Sequence, residues 1–493
     1  DSLGSETSTT TATPSTAVLD PSLQRFLAEV DEYTAGLLRD AAEQDADKRW
    51  RLLMEQDILS LRELKKASPQ LFATEHEVTT MLEHCCMHGL VDSTRWLMEE
   101  CDASPGKSEF LVRHMLLLDQ SPLDLLVLLL QGEEPMCPKG RDRLSCAIQG
   151  NHDSLISWMA EHGWDLNQLD SVQGFVTPVH EAILLKRPAC LRALLESGAI
   201  NPTVKSRCGF NPWHALVAAM SLVDRTSSTE DQSIFQAMAA ILKEHHVDLE
   251  DVDDDLKTPL LLAGRMCCLE AIKLLLSMDA NIQAECNGPD SGNILHMAVK
   301  NLSPEASDVV EFLCTLPEAS RLKKQHDSRE ATPFLVAVTR GSPDVVTSLC
   351  RRGSCNPNET FGQFETPAVM KALVMGNFEV VRVLVELGAD INAHNRLGKT
   401  AVHLACNSRD PAPLLQLLHS CHADFNVQDT MGRTPLLDAA SAGNHACMRQ
   451  LVALGASATI QDKHGNTLLQ CAQDSQDPVC LRVAEELCSL SPS

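Results

Sequence analysis

The 493-residue chain contains no Cys-x-x-Cys pair, although 19 of its residues are cysteine. Structural zinc sites commonly draw ligands from such a pair, so His84-Cys85-Cys86-Met87-His88 and His245-His246 are poor metal-site candidates. Nor do the cysteines fall at the spacings of a small secreted disulfide scaffold. Several sit in helical registers instead: Cys190, Cys447 and Cys480 take a slot that Val345 and Val380 fill elsewhere. They read as small buried hydrophobes in a reducing compartment, the cytoplasm or the nucleus. A long apolar run is also missing; Leu125 to Leu130 is far short of the roughly 20 residues a spanning helix needs. Positive charge is in deficit, with 41 Lys and Arg against 67 Asp and Glu and a formal net charge of −26. Such a balance repels phosphate backbones and disfavours nucleic acid as a partner. Aromatic residues make up only 4% of the chain, so a cluster of them stands out.

The familiar motifs of nucleotide, zinc and calcium chemistry are each incomplete. Pro105-Gly106-Lys107-Ser108 resembles the end of a phosphate-cradling loop, but Cys101 stands where its first glycine belongs. His180-Glu181 opens a zinc-protease signature whose second histidine is replaced by Leu184. Asp251, Asp253 and Asp255 imitate a calcium loop, yet Leu256 and Leu262 occupy its glycine and glutamate positions. No cofactor, metal or catalytic constellation is therefore expected, and an intrinsic enzyme is the least favoured class.

What the chain does have is a period. A Thr-Pro step or its remnant returns at Thr177, Asn211, Thr258, Asn293, Thr332, Thr366, Thr400, Thr434 and Thr467, mostly 33 to 35 residues apart. A unit this short cannot bury an apolar face alone, but stacked copies share one core, so the period predicts a solenoid. In Gly432-Arg433-Thr434-Pro435, the glycine permits a tight turn, the threonine caps a helix and the proline occupies its first position. Small residues such as Ala337, Ala372, Ala405, Ala439 and Ala440 admit a second helix. In Phe378 to Gly388, residues 380, 381, 384 and 387 share a face of that second helix and Gly388 stops it.

These residues resemble the ankyrin-repeat family. Its Thr-Pro-Leu-His signature is matched by Thr177-Pro178-Val179-His180 and Thr400-Ala401-Val402-His403, and its finger consensus by Leu384-Val385-Glu386-Leu387-Gly388-Ala389-Asp390-Ile391-Asn392. The resemblance implies an all-α solenoid of paired antiparallel helices, β-hairpin fingers and a concave partner-binding surface. About nine clear repeats run from 177 to 493. Two or three degenerate ones occupy 77 to 176, around Thr80–Ser104, Phe110–Glu134 and Arg141–Asn167. Residues 1–19 read as a disordered Ser/Thr-rich tail, and 20–76 as a helical N-terminal cap or docking segment. The chain begins at Asp1 and not at methionine, as expected either of a processed or trimmed product or of a sequence that lacks the true N-terminus and any targeting segment in it. Regular-register histidines, His180, His296 and His403, are expected to brace the Thr-Pro turn.

Site candidates come from departures within the repeat. Phe175, Phe210 and Phe364 lie at or within a residue of the position before the Thr-Pro step, which faces the groove in the family; they are either partner anchors or rings folded onto neighbouring fingers. Arg396, Lys399 and Arg433 make the last fingers basic, which suggests a partner with an apolar segment followed by an acidic one. Asp251, Asp253 and Asp254 form either a solvated turn or a docking point for a basic peptide. Asn392 and Asn426 fit the family's asparagine-hydroxylation pattern, which is also its plain finger consensus. Two insertions interrupt the period, a polar stretch at Asp224 to Asp231 and one before Thr332 with Arg321, Lys323 and Lys324. The favoured function is a non-catalytic scaffold or adaptor holding one or more proteins, with no nucleic acid and no membrane insertion. The alternatives are a substrate-receptor subunit of a ubiquitin ligase or other enzyme complex, and a structural subunit of a large assembly.

Overall fold

The computed structural model describes residues 75–490, apart from 102, 104–108, 120, 132–139, 168–176, 207, 224–228, 289–290 and 409, together with Arg62 and Lys65. The tail, nearly all of the 20–76 segment, Pro105–Ser108, Phe175 and the first half of the 224–231 insertion therefore lie outside the described residues. Twenty-five helices are present among those described, and the chain divides into two compact units, 1–207 and 208–493.

The first unit holds four helix pairs: Glu75–Met87 with Val91–Glu100, Glu109–Leu117 with Leu123–Leu130, Gly140–Gln149 with Asp153–Glu161, and Pro178–Leu184 with Pro188–Glu196. The first three are the degenerate repeats, helical despite their worn signatures. Burial of Leu82, Leu97, Leu116, Leu126, Leu129, Ile148 and Ile156 keeps their apolar stripes inward where Thr-Pro chemistry has been lost.

The second unit contains eight pairs. Its first helices begin at Pro212, Pro259, Ile294, Pro333, Ala368, Ala401, Pro435 and Leu468. Most start the same way: the side chain of Asn211, Thr258, Asn293, Thr332, Thr434 or Thr467 accepts from the backbone N–H three residues on. Each such cap satisfies one of the donors a helix start leaves open. The insertion after Asn211 is not a simple loop, because Thr229, Glu230 and Asp231 form the first turn of a 16-residue helix, Thr229–Glu244, in place of the usual short second helix. The insertion before Thr332 folds into one extra turn, Ala319–Leu322.

The fingers differ from the expected β-hairpins. Among the described residues one regular hairpin occurs, pairing Thr360–Phe361 with Thr366–Pro367. In five other fingers an Asp or Asn five residues before the Thr-Pro position closes the turn with its own side chain. Oδ1 of Asp253 accepts from the amides of Asp255 at 3.0 Å and Lys257 at 2.8 Å, and Asp429 does the same for Met431 and Arg433 at 2.8 and 2.9 Å. Asp327, Asn395 and Asp462 repeat the arrangement. The carboxylate or amide replaces a ladder rung, so a compact turn needs no extended strands.

Candidate protein-interaction groove

Successive finger tips of the second unit are tied edge to edge by backbone hydrogen bonds. The amide of Arg396 donates to the carbonyl of Phe364 at 2.8 Å, Thr430 to Leu397 at 3.0 Å, and Lys463 to Met431 at 3.1 Å. The ladder brings three apolar side chains from three repeats into one row. Phe364 is 57% exposed, Leu397 46% and Met431 48%. Behind the first two tips lies a groove of about 480 Å³, lined on the finger side by Phe361, Phe364 and Leu397 and on the helix side by Leu335, Val374 and Leu404. Val374 is 63% exposed, so apolar surface flanks the groove on both walls. Exposed apolar side chains gathered in one concave place are the usual mark of an interaction site.

The sequence candidates fall out unevenly against this geometry. Phe364 lines the groove. Phe210 is half-buried and stacked on His214 of the helix it precedes, with ring centroids 5.4 Å apart, so that ring folds down onto its own repeat. Lys399 and Arg433 are not free cations. The Lys399 ammonium lies 2.7 Å from a carboxylate oxygen of Asp438 and the Arg433 guanidinium 3.9 Å from the other, with Asp438 buried beneath them. A buried carboxylate left alone would be costly, and these two cations neutralise it. Arg396 remains at the surface, 3.5 Å from Glu365. Asp253 is buried as the turn acceptor described above and leaves the surface, whereas Asp254 is exposed and Asp251 half-buried.

Asn392 and Asn426 clamp one finger to the next. Asn392 Oδ1 accepts from the Asp424 amide at 2.8 Å, and Asn426 Oδ1 from Ser457 at 2.7 Å. Asn358 does the same for Asp390 at 2.7 Å, so the clamp belongs to the repeat.

Two groove cations were missed from sequence. Arg329 lies on a finger tip and Lys371 on the helix Ala368–Val374, and both line the groove. Neither side chain makes an ion pair among the described residues. Glu330 is the one carboxylate among the lining residues. Their registers, one at a finger tip and one on a helix, are unrelated in sequence; only the fold makes them neighbours.

The buried histidines and thiols serve the frame. His296 accepts the Asn293 amide at Nδ1 (3.3 Å) and meets the Ala331 carbonyl at Nε2 (2.9 Å); His403 repeats this with Thr400 (3.1 Å) and Arg433 (3.1 Å). The pattern requires the neutral Nε2–H form, and it ties one repeat to the next. Burial depresses the pKa of both rings, with the bonded carbonyls opposing it. An unfolded histidine, near pH 6.5, takes up a proton before the folded one does. The stabilisation is therefore complete above about pH 6.5 and is lost as pH falls through the lower folded pKa. Urea midpoints measured from pH 7.5 down to 5.5 are expected to decline, and the decline to shrink in His403→Gln. Burial pushes the thiols of Cys85, Cys86, Cys190 and Cys355 up to about 12, which keeps them protonated and unreactive at neutral pH.

Comparison with known proteins matches the repeat geometry. A family model described as ankyrin repeats (3 copies) matches residues 295–395, 334–415 and 402–490. The chain is similar to "Ankyrin repeat and SAM domain-containing protein 6" of Rattus norvegicus, 33% identical over 151 residues, covering 30% of this chain and 17% of that protein. It is similar to "SH3 and multiple ankyrin repeat domains protein 1" of Homo sapiens, 33% identical over 150 residues, 30% of this chain and 7% of that one. A third relative, "Putative palmitoyltransferase ZDHHC13" of Danio rerio, is 24% identical over 234 residues, 47% of this chain and 35% of that protein. The matched stretch spans less than a fifth of the Rattus norvegicus relative.

Proposed function

This chain is an ankyrin-repeat protein, and from that premise we propose that it is a non-catalytic scaffold or adaptor that holds partner proteins in the finger-and-helix groove of its second unit. The observation that supports this most directly is the exposed row Phe364, Leu397 and Met431, held in register by the finger ladder. A ladder of backbone bonds fixes the tips before any partner arrives, so little ordering entropy opposes docking. Apolar side chains on a pre-formed edge are the kind that become binding hot spots when covered.

Two repeat-protein relatives carry names that join ankyrin repeats to SAM or SH3 modules. That company suits a module whose task is to bring other proteins together. The palmitoyltransferase relative is matched over about a third of its length, and the stretch shared is insufficient to transfer its printed activity.

The test is quantitative crosslinking and pull-down with the full chain carrying Phe364→Asp and Leu397→Asp together. Both side chains are exposed, so the melting temperature should hold, while capture of the principal partner should weaken roughly thirtyfold. Unchanged capture at unchanged stability overturns the proposal.

A further inference from the structure

A groove's lining sets what it can hold, and here the charge of the lining departs from the charge of the chain. Against a net charge of −26, two cationic side chains and one carboxylate line the groove at Phe364 and Leu397. Arg329 and Lys371 make no ion pair among the described residues, in contrast to Lys399, Arg433 and Arg396, whose charges are met by Asp438 and Glu365. These two line the groove beside its apolar side chains with no such carboxylate partner among the described residues. At physiological salt the chain's remaining negative charge is screened beyond about 8 Å, so the local pair dominates what a docked segment feels.

Resting on the interaction reading above, we propose that this groove selects an extended segment of a partner protein that carries a bulky aliphatic or aromatic anchor beside carboxylates. The anchor fills the space between Phe364, Leu397, Val374 and Leu404. Carboxylates next to it meet Arg329 at the finger tip and Lys371 on the helix wall. Glu330, on the same turn as Arg329, disfavours a purely acidic run and so places the selection on the combination of anchor and charge. The site differs from the arrangement expected from sequence, in which Arg396, Lys399 and Arg433 supplied the positive charge.

The experiment is selection of short random peptides on the full chain, followed by affinity measurement of the enriched peptides against variants. Enriched peptides are expected to place Asp or Glu close to a Leu, Ile, Met or Phe. Arg329→Ala and Lys371→Ala should each weaken them about fivefold. Arg329→Glu combined with Lys371→Glu should shift enrichment towards Lys and Arg around the same anchor. Binding that depends on Phe364 and Leu397 but shows no acidic preference, or ignores the charge reversal, overturns this inference and leaves the groove reading standing. Enriched peptides indifferent to Phe364→Asp and Leu397→Asp, or no enrichment at all, count against both.

Discussion

Replacing Trp213 by Ala is expected to destabilise the second unit by about 3–5 kcal/mol. The indole is 1% exposed, and its Nε1 donates to the Val247 carbonyl at 3.0 Å, across the repeat's own second helix. Truncation removes a large buried surface, leaves a cavity that the surroundings can only partly refill, and removes the donor to the Val247 carbonyl. The neighbouring Asn211 Nδ2 donates to the Asp248 carbonyl at 2.8 Å, so the start of the helix and the segment after the second helix are fastened at two adjacent points. Loss of one loads the other. Trp213→Phe keeps most of the apolar contact and should cost substantially less. Urea denaturation followed by far-UV circular dichroism, with hydrogen exchange of amides 213–221, checks the outcome; a loss under about 1 kcal/mol for the alanine variant would mean the ring is not a core element.

The second large effect is expected at Gly398, where Ala should cost about 2–4 kcal/mol. Its φ is +73°, a left-handed conformation that side chains bearing a Cβ resist. An added Cβ there would also approach the Thr430 amide nitrogen to 2.6 Å, against backbone that cannot swing aside. Gly388 separates the two causes. Its φ is +90° and an added Cβ would meet nothing within 4 Å, so Gly388→Ala should show the dihedral strain alone, about 1–2 kcal/mol. Equal losses at both glycines would refute the close-approach account. The consequence at Gly398 reaches the groove, since Leu397 accepts from Thr430 at 3.0 Å and a forced separation would detach that tip from the row. Partner affinity should therefore fall in Gly398→Ala although the residue touches no partner, while Gly388→Ala should leave affinity unchanged. This difference distinguishes a pre-formed docking edge from fingers that assemble only on binding.

Much of the architecture was legible in the residues because it is local. Thr434-Pro435 states a cap and a first helical position, and Val380, Val381 and Leu384 state a buried face, within a few residues of each other. The Asp or Asn five residues before five of the nine Thr-Pro steps carried the turn just as locally, at Asp253, Asp327, Asn395, Asp429 and Asp462, yet it imitates a calcium loop at one copy and a surface acidic run at the same place. Counting that offset across copies would have revealed it. The candidate site was less legible, because charge in a sequence has no partner attached. Lys399 and Arg433 stood out as basic, but Asp438, which neutralises them, is itself the fourth residue of the following helix and reads as a routine helical acid.

By itself the sequence determined the repeat, its period, the caps that start each helix and the small residues that let helices pair, since each depends on contacts within about 34 residues. Only the tertiary structure decided which side chains face outward together. Phe364 and Leu397 come from consecutive fingers and Arg329 and Lys371 from a finger and a helix; stacking brings the four around one groove. By contrast, contacts within four residues turned Phe210 onto His214 and folded Asp253 into its own turn. The physical reason is that stacking is a relation between copies: the neighbour of a finger tip, like the Asp438 that meets Lys399 from 39 residues on, is supplied by the adjacent repeat, and no window of one repeat contains both.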